Sequence, residues 1–207
     1  ALQELTGAEA PEVRGAGKRV VDALVNKAAQ VKGEVDAEYK KAREAGEMAE
    51  EVDTTALVTK LREIEPSKGN AGVIGAAEAE LVRLGGASRA DDGSLVPAKL
   101  SLDKLEELRK KVGVNGGKDA TNAHFAREIK DTIDLTTEDA GGDLYRGARQ
   151  KYKAYAQEFK ARKIVAQLIE NKRGTDERKV ALEDVYSKSI KDGSVDEIVK
   201  LRDTLRG

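Results

Sequence analysis

The sequence predicts an all-α fold, an irregular multi-helix bundle of about seven or eight helices. Three observations lead there. Apolar residues recur at steps of three and four along most of the 207-residue chain, the spacing that lines one side of a helix. Aromatics supply only 3% of residues and charged residues 36%, well above the usual quarter or so, which leaves the core to Ala, Val, Leu and Ile. No segment sustains the alternation of apolar and polar residues that marks a half-buried strand, although a short hairpin around Ser94–Val96 is compatible with the local pattern.

A first long helix is expected near residues 18–45. There Val21, Leu24, Val25, Ala28, Val31, Val35, Tyr39 and Ala42 fall on one stripe, on the order of 30 Å long at 1.5 Å per residue. Gly33 within it costs about 1 kcal/mol in helix propensity and marks an expected close helix crossing. A second, short helix starts at Thr55 with Asp53 or Thr54 as N-cap, buries Leu57, Leu61 and Ile64, and stops at Pro66. A third runs from Ala71 through "GVIGAAEAELVRL" to the Gly85–Gly86 pair. The following "ASRADDGSLVPAK" reads as a loop, with a turn at Asp92–Gly93 and a breaker at Pro97. This places a boundary between subdomains 1–90 and 91–207, unless the two form one continuous domain.

In "LSLDKLEEL", Ser101 is expected to cap a fourth helix, with Leu100 and Leu105 spaced as a hydrophobic staple and Val112 as its close. Phe125, Ile129 and Ile133 form the inner face of a fifth. A second long helix is expected near residues 139–172. Its Leu144, Ala148, Tyr152, Tyr155 and Phe159 share one face, whereas Ile164, Val165 and Leu168 point nearly opposite if the helix stays straight. Either different neighbours cover the two faces or the helix bends near "KARK", 160–163. Two last helices bury Val180, Val185 and Ile190, then Ile198, Leu201 and Leu205, and Ser194 with Glu197 has the spacing of a capping box.

Many chemistries are excluded by residue type. With no cysteine there is neither a thiol nucleophile nor a thiolate metal site, and the single histidine, His124, cannot make a two-histidine zinc motif. "RGAGKRV" and "NGGKD" place Gly before Lys but fail as phosphate loops. Glu12 and Val112 stand where the first Gly belongs, and Arg19 and Asp119 stand where Ser or Thr should reach Mg²⁺. No G-x-S-x-G elbow occurs, nor the Glu-Ser pair of soluble lytic transglycosylases. Neighbouring acids at Glu50–Glu51 and Glu106–Glu107 are expected on solvated helix faces. Catalytic, cofactor-binding and metal sites are therefore all expected to be absent, as is a small-molecule substrate. No apolar run approaches the roughly 20 residues that span a bilayer, so a soluble protein is expected. A start at Ala1 and a lone Met48 lead us to expect a fragment of a longer polypeptide.

Charge is unevenly spread. From Glu34 to Glu65 there are ten acidic and five basic residues, and from Leu144 to Arg173 nine basic and two acidic. Arg146, Arg149, Lys153, Lys160, Arg162, Lys163, Lys172 and Arg173 are candidate contacts for an anionic partner. With Tyr145, Tyr152 and Tyr155 between them, such a stripe suits a nucleic acid or an anionic membrane surface. The competing reading makes the tyrosines core and the lysines a solvated face.

The final third, "GGDLYRGARQKYKAYAQEFKARKIVAQLIENKRGTDERKVALEDVYSKSIKDGSVDEIVKLRDTL", resembles the C-terminal helical region of internal virion proteins of tailed bacteriophages and prophages, also called DNA-transfer or ejection proteins. "EVDAEYKKAREAG" and "LSLDKLEELRKKV" resemble earlier blocks of the same family in the same order. The resemblance implies a non-enzymatic virion component that leaves the particle with the genome, enters the host envelope, and works by contact with other ejection proteins and with itself. In this reading "NKRGTDER" is a turn: Lys172 and Arg173 complement a helix C-terminus, Gly174 ends it, and Thr175 or Asp176 caps the next helix. Lys172, Arg173, Arg178 and Lys179 are then an additional candidate contact for an acidic partner.

Overall fold

The computed structural model describes residues 2–117, 119–138, 140–161, 163–172, 175–192 and 194–206. Among them are nine α-helices and four strands of three residues each, so the all-α expectation holds with two small antiparallel ribbons added. The chain divides into two compact units: Glu38–Ala148, and Ala1–Ala37 together with Arg149–Gly207. The boundary expected between residues 90 and 91 falls inside the contiguous unit. Ala87 and Leu95, on either side of that loop, are buried in the same core as Leu57 and Leu105, and this is why the loop does not separate domains.

The contiguous unit opens with the last residues of α1 (Leu2–Glu44) and continues through β1 (Glu51–Asp53), α2 (Thr55–Ile64), α3 (Gly72–Leu84), β2 (Ala87–Arg89), β3 (Leu95–Pro97), β4 (Lys99–Ser101), α4 (Leu102–Gly116) and α5 (Ala120–Glu138) to the start of α6 (Asp143–Ala156). β2 and β3 form the hairpin anticipated around Ser94–Val96, with Ser88 opposite Val96 and the turn at Asp92–Gly93. β1 pairs with the distant β4, Val52 opposite Leu100. Thr54 joins the two ribbons: fully buried, its hydroxyl lies 2.6 Å from the Gly86 carbonyl and 2.8 Å from that of Ala98. It stands at the N-cap of α2, its carbonyl accepting the Val58 N–H at 2.9 Å, but its side chain makes no capping bond; the Asp53 carboxylate accepts the Thr55 N–H at 2.7 Å.

Helix ends follow local chemistry. α3 closes in a Schellman arrangement, with Gly85 at φ +86°, its N–H on the Val82 carbonyl and the Gly86 N–H on that of Leu81, both at 3.0 Å. Ser101 stands at the N-cap of α4 but its side chain makes no capping bond; the Leu102 N–H goes to the Glu50 carbonyl across the β1–β4 ribbon. α4 also continues past Val112 to Gly116. Leu100 and Leu105 are both buried, as a staple requires.

The second unit comprises α1 as far as residue 37, the end of α6, a π-helical segment Gln157–Ala161, α7 (Lys163–Ile169), α8 (Val185–Asp192) and α9 (Val195–Arg206). Its core gathers Val21, Leu24 and Ala28 of α1 with Phe159, Ile164, Val165, Leu168, Val180, Val185 and Leu201. The helix expected over 139–172 is therefore not uniform. Phe159 and Leu168 would point about 180° apart on a straight α-helix at 100° per residue. A π segment acts as a one-residue insertion that turns later positions by about 100°, and all four apolar residues reach one core.

α1 starts at Leu2, well before residue 18. Gly33 is not a helix crossing: nothing lies within 4 Å of where its side chain would begin. The close approach is at Gly17, where an added Cβ would strike the backbone carbonyl of Leu182.

Candidate functional site

The basic segment proposed from sequence is built on α6, the π segment, α7 and the loop beyond it, and its described residues differ in exposure and pairing. Arg146, in the contiguous unit, is exposed and pairs with Asp143 at 2.9 Å. Arg149 turns inward and is 7% exposed, which removes it from any surface contact. Lys153 and Lys160 are exposed. The Lys160 ammonium lies 5.4 Å from the Tyr152 ring centroid and 5.5 Å from that of Tyr155, within cation–π range. Tyr155 in turn packs on the buried Phe159, centroids 5.5 Å apart, so these tyrosines are half core and half surface. Arg162 and Arg173 lie outside the described residues, as does the side chain of Lys163.

Lys172 belongs to a closed loop. α7 ends at Ile169, and Asn171 and Arg178 then form an isolated antiparallel bridge. The Lys172 N–H donates to the Glu177 carbonyl at 2.6 Å and the Lys179 N–H to that of Glu170 at 3.0 Å. The side chains repeat the pairing, Lys172 with Glu177 at 2.7 Å and Lys179 with Glu170. The described residues on either side, Asn171–Lys172 and Glu177–Arg178, thus pair as a small ribbon. Thr175 accepts the Glu177 N–H at 3.2 Å, and neither Thr175 nor Asp176 caps a helix; the next helical turn begins at Leu182. Gly174 lies outside the described residues.

Of the neighbouring acids expected on solvated helix faces, Glu50 and Glu51 are exposed but lie at the start of β1 rather than on an α-helix, and Glu106 is not solvated. Glu106 is buried and accepts the Tyr145 hydroxyl at 2.9 Å, while Glu107 pairs with Arg83. Arg83 also grips Glu80 at 2.8 Å, holding the Glu80 carboxyl below its ordinary range and its own guanidinium above. Glu78, 4% exposed, is met by Lys68 and Arg89. Glu47 accepts the N–H groups of Leu144 at 3.4 Å and Tyr145 at 2.7 Å, an anion on the positive end of α6 supplied from elsewhere in the unit. His124 is exposed beside Glu128. Among the described residues no group of three or more His, Asp or Glu side chains is placed to hold a metal ion, and no helix is long and apolar enough to cross a membrane.

Sequence reasoning missed the outer side of α9. Leu201 and Thr204 are its buried positions, and the Thr204 hydroxyl donates to Glu158 at 2.8 Å. Ile198 and Leu205, expected in the core, are 37% and 38% exposed, and with them Val195 at 77% and Val199 at 39% face solvent. The signal was present: Val195 and Val199 are four apart and out of phase with Leu201. On α8, Tyr186 is likewise 71% exposed. The capping box at the start of α9 is formed in both directions, the Ser194 N–H to Glu197 at 3.1 Å and the Glu197 N–H to Ser194 at 3.2 Å. The chain matches no protein-family model, no curated protein and no solved structure.

Proposed function

We propose that this chain is a non-enzymatic helical structural module of a phage internal virion or DNA-ejection protein, working through protein–protein assembly during genome delivery. The phage assignment is supported by the three blocks that resemble that family in the same order. The assembly role is supported by one geometric observation above the rest: Tyr186, Val195, Ile198, Val199 and Leu205 present apolar surface outward on the last two helices. Its partners in this reading are other ejection proteins and further copies of itself, and it travels in the virion to the host envelope. Of the neighbouring acids, Glu106 is committed to Tyr145 and Glu107 to Arg83, which favours a structural role for that pair over a hydrolytic one. Mass spectrometry of particles produced by the source genome should recover this chain's peptides, with virion genes flanking its own. A locus without virion genes, or particles lacking the protein, would overturn the reading.

A second reading, a nucleic-acid- or anionic-membrane-binding domain, draws on exposed Lys153 and on Lys160 set over Tyr152 and Tyr155. It has fewer cations to work with than the sequence suggested, since Arg149 is buried and Arg146 and Lys172 are paired. Binding through two lysines should show a salt slope of about −2 on duplex DNA. Binding unchanged by Lys153→Glu with Lys160→Glu would remove it.

A further inference from the structure

The outer face of α9 has a direction built into it. Val195, Val199, Arg202 and Arg206 follow one another at steps of four, three and four, the spacing of a two-helix seam, and Ile198 and Leu205 flank that seam on one side. Leu201 and Thr204 fasten the opposite side to the unit's core, so the seam faces outward. Acids open the helix, Asp196 and Glu197, and the basic residues Arg202 and Arg206 lie towards its end. Arg202 is partly neutralised by Asp203 at 2.9 Å.

We propose that this face is a homotypic contact in which α9 of one copy packs antiparallel on α9 of a second copy. Charge decides both the occupant and the orientation. In a parallel pair Arg202 would face Arg202, Arg206 would face Arg206, and the two acidic first turns would lie together. Reversing one helix sets Val195 against the aliphatic stem of Arg206, Val199 against that of Arg202, and Ile198 against Leu205. It also brings the Arg206 guanidinium beside Asp196 of the other copy. The face is thus complementary to its own reverse, as a two-fold interface must be. One face of a helix of 12 residues falls well short of the roughly 800 Å² per partner of a standard interface, so a weak, concentration-dependent dimer results. Such a contact suits a particle that packs copies at high local concentration.

The inference deepens the assembly role proposed above but does not depend on the phage assignment. A non-virion locus would remove that assignment and leave this pairing standing, while a failed pairing would leave the locus argument untouched. The chain has no cysteine, so single thiols report orientation directly. Val195→Cys and Arg206→Cys are both at exposed positions and should leave the circular dichroism spectrum of the 207-residue chain unchanged. Under mild oxidation an equimolar mixture of the two variants should give roughly tenfold more disulfide-linked dimer than either alone, because held thiols react at a high effective concentration. Dimer from Val195→Cys alone would show parallel pairing and overturn the proposal. So would equal yields from all three samples, which is random collision, or no dimer in any.

Discussion

Glycines show how far a single position depends on what lies opposite it. At Gly17 an added methyl group meets the Leu182 backbone carbonyl, which cannot rotate away as a side chain tip can. Gly17→Ala should therefore destabilise the protein by about 1–3 kcal/mol, as overpacking does. Gly33 has the same helical backbone and open space around it, so Gly33→Ala should stabilise by about 0.5–1 kcal/mol. Urea unfolding of the two variants checks the opposite signs. Sequence alone could not separate these glycines, because what differs is a carbonyl roughly 165 residues away in the chain. Aspartates at turns carry a pH signature. Asp53 and Asp92 are held below the ordinary carboxylate range, Asp53 by its bonds from Thr55 and Asp92 by its bonds from Ser94. Groups with a depressed folded pKa add stability above their unfolded pKa, near 4, and lose it as pH falls through the folded value. Unfolding midpoints measured on descending pH should fall less steeply for Asp92→Asn than for the unaltered chain.

Helices were legible where several apolar residues repeat, and their ends were less so. Leu57, Leu61 and Ile64 of α2, and Ile129 and Ile133 of α5, are buried as their spacing requires. Thr54 and Ser101 hold the N-cap positions, but neither side chain caps, because the Thr54 hydroxyl turns to the Gly86 and Ala98 carbonyls and the Leu102 N–H after Ser101 pairs with Glu50 across the β1–β4 ribbon. That ribbon pairs three residues with three others about fifty positions on, too short for any periodicity to register. The conflict of faces between Phe159 and Leu168 was the most useful sequence signal in the second half: it offered a bend near 160–163 as one of two alternatives, and the π segment spans Gln157–Ala161. Gln157 is exposed and opens that segment. Deleting Gln157 should restore plain α-helical phase and turn Ile164, Val165 and Leu168 about 100° away from Phe159. Thermal melts followed by circular dichroism should show the midpoint falling sharply. An unchanged melt would mean that the π segment is dispensable.

At the scale of the molecule the division into units escaped the sequence because it follows packing rather than composition. The loop most like a linker, residues 87–99, is stitched into a core by Ala87, Leu95 and the Thr54 hydroxyl, whereas the divisions at residues 37–38 and 148–149 fall within α1 and α6. Residues 38–148 are continuous and carry their own core from Ala42 to Tyr145. Expressed alone, they should unfold cooperatively in urea; a non-cooperative transition would show that this core needs the rest of the chain. Sequence left the basic segment open between a single anion-binding stripe and a solvated face for a related reason. Its charges are real, but Arg149 turns inward and Lys172 closes its own loop, two outcomes set by tertiary packing. The same unit leaves the apolar side of α9 outside, and the proposed assembly role rests on that surface.

Sedimentation equilibrium of the 207-residue chain and of Val199→Glu tests that role most directly. Val199 lies on the outer face and makes no part of the core, so the variant should fold unchanged. The account predicts an average mass that rises with concentration for the unaltered chain and stays at one chain's 22.3 kDa for the variant. A single-chain mass for both at every concentration, or equal association by both, would contradict it.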